Sequence, residues 1–213
     1  GAEGSLEPVA NALPAWDCIA GNMVISSLLA AERDRLRSGK GQNVEFALKD
    51  AAAAIVGHLG MIGEATISDE QRGKSGNSLY GAYGQDFECS CGGRVIVIGL
   101  TLRQWRGLLK AMDKTDEIKK LEEELNVSLD NEGRRWVHRH EINDIFRPWF
   151  AKRKIIEFEK GFNDLGLTWS QFRTMKEAID EDDDTFADNP MFETQDFDGI
   201  GKYMVPRSPV EFS

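Results

Sequence analysis

Tyr83-Gly84-Gln85-Asp86-Phe87-Glu88, then a turn through Ser90-Cys91-Gly92-Gly93, then Arg94-Val95-Ile96-Val97-Ile98-Gly99-Leu100 is the stretch that decides the fold. Two short runs rich in aromatic and β-branched residues flank a glycine pair, which predicts an antiparallel hairpin. Downstream the apolar period changes from two to that of a helix. Helices are expected at roughly 102–112, 115–125 and 133–147, with Pro148 breaking or kinking the last. Two more short helices are read over 155–163 and 170–179, joined through Gly166 and Trp169. The acidic run 177–188 reads as a solvated loop. Residues 189–213 carry three prolines and no clear period. Upstream of the hairpin, residues 64–81 are polar and glycine-containing, as a linker or an active-site loop would be.

Further towards the N-terminus, Pro8 and Pro14 predict an extended lead-in over 1–16. From Asp17 to about Arg37, apolar positions alternate with Ala, Gly and Ser, which predicts a helix able to approach another backbone closely, with Asp17 suited to its N-cap. Val44, Phe46 and Leu48 alternate with polar or small residues and read as a short strand. Asp50 to about Gly63 reads as a second, Ala-rich helix. The expected class is therefore α/β: a small α+β domain over 64–188, preceded over 1–63 by a helix–strand–helix piece and followed by a connecting segment over 189–213. A lone strand cannot bury both of its faces, so the first segment reads as part of a larger sheet domain.

Bulk composition narrows the function classes. With 41% hydrophobic residues in 213, a packed core is expected rather than disorder. A formal net charge of −10 argues against a general nucleic-acid binder, which needs a basic face to displace phosphate counterions. Cys18, Cys89 and Cys91 make no disulfide framework. Gly1–Ser5 is not followed by the apolar run of a secretory signal, and no stretch approaches the ~20 apolar residues of a membrane span. The expectation is a cytoplasmic protein without membrane or nucleic-acid partners.

An ordered set of motifs runs through this frame. Asp17-Cys18-Ile19-Ala20-Gly21 precedes Leu28-Leu29-Ala30-Ala31-Glu32-Arg33, then Ser38-Gly39-Lys40-Gly41-Gln42-Asn43-Val44, then Asp50-Ala51. Tyr80 to Phe87, the Gly92-Gly93 turn, Gln104-Trp105 and Asn189-Pro190-Met191-Phe192 follow. This set resembles the family III CoA-transferases, the CaiB/BaiF family, over nearly the whole chain. The resemblance implies that Asp17 is a nucleophile acting on a coenzyme A thioester, with a carboxylic acid as acceptor and no permanently bound cofactor or metal. It implies a Rossmann-like half ahead of the aspartate that carries most of the CoA contacts, and two interlocked chains forming a homodimer in the full-length protein. The 1–63 segment would then be a remnant of that Rossmann-like domain, and no CoA-binding residue can be assigned within this chain. An intramolecular transfer between the two carboxyls of one unsaturated diacid is implied by the narrower likeness in Leu13-Pro14-Ala15-Trp16-Asp17, Gly76-Asn77 with Tyr80-Gly81, Gly84-Gln85-Asp86-Phe87 and Gly199-Ile200-Gly201-Lys202-Tyr203. Two rivals stand beside it: an α-methylacyl-CoA racemase-like enzyme, in which the aspartate works as acid and base with a histidine, and a non-catalytic fragment or subunit that needs a partner.

The chemistry fits the residue types. An aspartate with an ordinary pKa of about 4 is ionised at neutral pH and can attack a thioester carbonyl without a base. A helix N-terminus behind it favours the anion and offers N–H groups to a developing oxyanion. A helix cap is the commonplace role for an aspartate at such a junction, and the two roles are compatible. Gly76, Asn77, Tyr80 and Tyr83 are read as substrate-binding members of the loop, against the alternative of an ordinary linker and first strand. Arg33, Arg35, Arg37 and Lys40 read as a solvated face, His58 as a core histidine, and His138 and His140 as surface residues. Cys18 reads as a packing residue. Cys89-Ser90-Cys91 lacks a second pair at metal-ligand spacing.

Overall fold

The computed structural model describes residues 3–5, 7–10, 13–68 and 72–210; parts of the expected lead-in, of the 64–81 loop and of the tail lie outside the described residues. The chain forms two compact units, Gly1–Gly76 and Asn77–Ser213. The division falls beyond residue 63, where hydrophobic patterning put it, because a helix runs across that point.

The first unit is helical. Helix α1 spans Ala15–Ser38 and ends on Gly39, whose φ of 72° gives the left-handed C-cap that lets its N–H reach the Arg35 carbonyl. Helix α2 spans Leu48–His58 and α3 Met61–Ile67. The expected single helix over 50–63 is thus two, divided where Gly60 turns to φ 76°. α1 packs on α2 and α2 on α3. Alanines make the approach close: Ala20 and Ala51 are the unit's buried apolar residues among those described. The strand expected over 44–48 does not form. Residues 40–47 have no strand partner, and Leu48 already opens α2. Apolar alternation alone makes no strand without a neighbour to accept its hydrogen bonds.

The second unit holds the hairpin. Strand β1, Tyr83–Glu88, pairs with β2, Arg94–Gly99, from Tyr83↔Gly99 to Glu88↔Arg94. The turn closes through the Cys89 N–H to the Gly93 carbonyl at 2.8 Å, with Gly92 at φ 82°. Helices α4 (Leu102–Met112) and α5 (Thr115–Leu125) fall where the period places them. The next helix is broken at His138 into α6, Glu132–Val137, and α7, Arg139–Ala151. Pro148 does not end α7. Pro148 and Asp144, four residues earlier, are both exposed, so the carbonyl deprived of an N–H partner lies on the solvent side.

A 3-10 turn at Ile155–Glu157 and helix α8, Glu159–Asp164, cover most of the helix expected over 155–163. The segment expected to be helical from 170 instead supplies strand β3, Thr168–Phe172. It pairs antiparallel with β2 and gives the sheet order β1-β2-β3. Helix α9, Met175–Glu181, starts later, on a Thr174–Glu177 capping box. The tail, read as patternless, forms a two-stranded ribbon of β4, Phe192–Phe197, and β5, Gly201–Pro206, with Phe197 stacked on Tyr203 at 4.8 Å.

Tyr83, Phe87, Val95 and Val97 of the sheet meet Trp105, Leu108 and Met112 of α4 and Ile142, Phe146 and Phe150 of α7. The rings interlock: Phe87 stacks on Phe150 at 4.7 Å and Tyr83 meets Phe146 edge-on at 5.5 Å. Arg135 is buried among them, its guanidinium donating to the carbonyls of Leu129, Asp130 and Leu100 and lying over the Trp105 ring. Such multiple bonding is what makes a buried cation tolerable.

Candidate active site

In the first unit, Asp17 sits in the first turn of the 24-residue α1 and is exposed. It is not the N-cap. Pro14 occupies that position with no side-chain cap, and its carbonyl accepts the Cys18 N–H at 3.1 Å. Among the described residues the Asp17 carboxylate has no hydrogen-bond partner in this chain. It therefore stands one turn inside the positive end of the helix dipole, held by α1 and open to approach. Cys18 beside it is exposed rather than packed, and His58 is exposed on α2 rather than buried. Gly60, two residues on, ends the helix before an apolar neighbour can cover that ring. The basic face behaves as expected: Arg35 makes a bidentate pair with Glu32 at 2.7 Å on the open surface, and Arg33, Arg37 and Lys40 are exposed.

The loop residues divide between the units. Gly76, exposed at φ 59°, closes the first unit, its Cα facing the Glu3 backbone. Asn77, Tyr80 and Tyr83 belong to the second unit. Asn77 is exposed, and its side chain helps hold the Asp86 carboxyl down. Tyr80 is 45% exposed, its ring 5.0 Å from that of Trp136, which in turn carries the Arg139 guanidinium at 4.1 Å. Tyr83 is placed differently from a substrate-facing tyrosine. It is 1% exposed, and its hydroxyl donates to Asn143 Oδ1 at 2.9 Å. Burial pushes that phenol well above its ordinary range, with the Arg147 charge pulling weakly the other way, so it stays a neutral donor.

Sequence reasoning assigned no role to the groups beneath these residues. Asp86 is buried on β1, Asn143 is buried on α7, and Gln85 lies between them. Gln85 Oε1 accepts from the Ser78 hydroxyl at 2.6 Å and from Asn143 Nδ2 at 3.3 Å, while its Nε2 donates to Asp86 Oδ1 at 2.8 Å. Arg94 Nη1 donates to the other carboxylate oxygen at 2.5 Å. Burial drives the Asp86 carboxyl up, but Arg94 and Asn77 together outweigh it and hold the group below the usual aspartate value. The hairpin register contained the signal. Asp86 faces Ile96, so Arg94 is its diagonal neighbour on the same face.

Among the described residues no three or more His, Cys, Asp and Glu side chains gather as metal ligands, and no helix is long and apolar enough to cross a membrane. At the hairpin turn, Cys89 is buried and its thiol is pushed up to about 11 by burial and by the neighbouring Cys91. Cys91 is exposed and held below the ordinary thiol value by the backbone at Ile155 and Gly93.

The chain has relatives among known proteins. A protein named 2-methylfumaryl-CoA isomerase, from Chloroflexus aurantiacus, is 47% identical over 205 residues, covering 96% of this chain and 50% of that protein. The chain thus spans about half the length of the curated relative it matches. Among solved structures, Rv3272 from Mycobacterium tuberculosis superposes with a TM-score of 0.71 at 17% identity over 97% of this chain and 52% of that one. A CaiB/BaiF family protein from Brucella suis gives 0.69 at 18% identity over 100% of this chain and 52% of that one. These two likenesses show the fold. The profile of CoA-transferase family III matches residues 1–213, and the chain belongs to that family.

Proposed function

We propose that Asp17 is the nucleophile of a coenzyme A transfer between carboxylates. The observation that carries the reading is its placement: an exposed carboxylate in the first turn of a long helix, in a chain of this family. The carboxylate oxygen attacks the thioester carbonyl carbon, the carbon–sulfur bond breaks, and CoA leaves as the thiolate from a mixed anhydride. The thiolate then attacks the Asp17 carbonyl, releasing the substrate carboxylate and leaving an aspartyl-CoA thioester. An acceptor carboxylate reverses both steps, so no water and no redox partner enters. Helix N–H groups near Asp17 suit the oxyanions that develop at each attack. With the 47% identity to a protein named 2-methylfumaryl-CoA isomerase, the reading extends to an intramolecular transfer between the two carboxyls of one C5 unsaturated diacid. The loop Gly76–Tyr80 is proposed as part of the acyl site, and Tyr80 is its exposed aromatic member.

Asp17→Asn in the complete enzyme tests this. With a CoA thioester, the native protein is expected to gain the mass of a CoA adduct that hydroxylamine discharges; the variant should gain none and lose ~10⁴-fold or more in turnover. An undiminished adduct in Asp17→Asn would refute the assignment. A racemase-like enzyme, by contrast, would form no covalent adduct even as wild type.

One further observation bears on partners. Trp16, Val24, Ile25, Leu28, Leu29 and Leu36 on α1 are each at least 40% exposed. Contiguous apolar exposure on this scale marks a surface made for another surface. We infer that the Rossmann-like half which the family resemblance implies covers α1, and that the working assembly is a homodimer. Exposed, unpaired Cys18 and Cys91 suit a reducing compartment, and we assign the enzyme to the cytoplasm without a permanently bound cofactor.

A further inference from the structure

We infer that Asp86 is the positioning residue of the Asn77–Ala82 loop, holding it in a prebuilt shape rather than leaving it to close as a lid over substrate. The inference rests on the reading above, in which this loop faces the acyl group.

Asp86 is a carboxylate at 8% exposure, where an unpartnered charge would be costly. Its oxygens accept from Arg94 Nη1 and from Gln85 Nε2, and Gln85 in turn holds the loop through Ser78. That arrangement dictates the rest. With its Nε2 bound to an anion, the Gln85 amide cannot flip, so Oε1 must face Ser78 and Asn143. Asn143 Nδ2 is thereby committed to Gln85, leaving its Oδ1 to accept from the buried Tyr83 hydroxyl. One polar chain therefore runs from the aromatic core to the loop, and its directionality is set by a single negative charge.

The loop's own backbone is closed at two points. The Leu79 N–H donates to the Gly84 carbonyl at 2.9 Å and the Ala82 N–H to the Leu79 carbonyl at 3.3 Å. Gly84 completes the fit, because a Cβ there would lie 2.7 Å from Leu79 Cβ. Tyr80 rests on Trp136 from the other side. A segment tied to a carboxylate, a strand and a ring before any ligand arrives has the features of preorganisation, which lowers the ordering cost of binding.

Amide hydrogen exchange tests this without depending on turnover. In Asp86→Asn, exchange at Leu79 and Ala82 is expected to accelerate ~10-fold or more, the effect of losing a charge-assisted bond, while β2 amides stay unchanged. In the complete enzyme the same variant should raise KM for the CoA thioester ~10-fold with a smaller loss in kcat, and the Asp17 adduct should still form. Should Asp86→Asn fail to fold, Ser78→Ala removes the loop's hydrogen bond to the Gln85–Asp86 pair and should accelerate the same two amides. Unchanged exchange in both variants overturns the inference. So does wild-type exchange at Leu79 and Ala82 that slows more than ~10-fold when thioester is added, because that is the behaviour of a closing lid. Loss of the adduct only in Asp17→Asn, or its absence throughout, judges the nucleophile and leaves the exchange result standing.

Discussion

The two units solve the burial problem in opposite ways. The second closes its apolar faces on themselves: Tyr83, Phe87, Trp105, Phe146, Phe150 and Phe162 are all at most 1% exposed. The first buries Ala20 and Ala51 and leaves Ile25, Leu28, Leu29 and Leu36 in the open. Sequence hydrophobicity is similar in kind, but aromatic side chains fill a volume whereas alanines only permit contact. The difference teaches that the second unit carries its own stability, and the first is a surface whose stability depends on what covers it.

The largest test of this contrast is excision. A fragment of residues 77–210 is expected to unfold cooperatively with near-UV circular dichroism, whereas residues 3–76 alone should show helical signal and no cooperative transition. A cooperative first unit would break the comparison. Next in size, Phe146→Ala should cost ~3–5 kcal/mol by chemical denaturation, because it empties the centre of the ring cluster. Leu28→Ser on α1 should change the same transition by no more than ~0.5 kcal/mol.

A smaller effect concerns acid. Asp86 has its folded carboxyl below the ordinary value, so its contribution is present above the unfolded pKa of about 4 and is lost as pH falls through the folded value. The drop in Tm between pH 7 and pH 3 should therefore be ~2–4 °C less in Asp86→Asn than in the native chain, modest because the Arg94 partner is half-exposed and solvent-screened. The smallest test leaves stability untouched and compares two thiols of one turn. At pH 8, iodoacetamide should modify Cys91 and the exposed Cys18 in the native protein. Cys89, buried and pushed up to about 11, should react at least ~100-fold more slowly until the unit is unfolded, as peptide mapping will report.

How far the sequence could be read follows the same division. The hairpin and α4 were legible because Val95, Val97, Trp105, Leu108 and Met112 each repeat at their element's period and end up in one core. β3 was not: in Thr168–Phe172 the pattern of exposure leaves only Trp169 and Gln171 half-buried, and a strand pinned along one edge needs little apolar marking. β4 was hidden because Glu193, Thr194, Gln195 and Asp196 stand on the open faces of a ribbon and leave no apolar period to read. Val44, Phe46 and Leu48 misled for the converse reason, having the alternation and no partner. Of the candidate site, the family motifs singled out Asp17, and the helix then gave it a turn rather than a cap. Gln85 and Asp86 lie within the Tyr80–Phe87 motif, but their layer with Asn143 was given no role because polar residues inside a core have no period of their own; the register that sets Arg94 diagonal to Asp86 is what betrays it.

The β4–β5 ribbon has a consequence for solubility. Among the described residues it pairs with no third strand, so each of its two outer edges presents backbone N–H and C=O groups that another chain could extend into a cross-β stack. Glu193, Asp196 and Lys202 are exposed on those strands, and stacking copies in register would bring like charges within a strand spacing of ~5 Å. Pro206 ends the ladder without a donor. The polar faces that left this segment without a readable period thus set a charge penalty against edge-to-edge stacking.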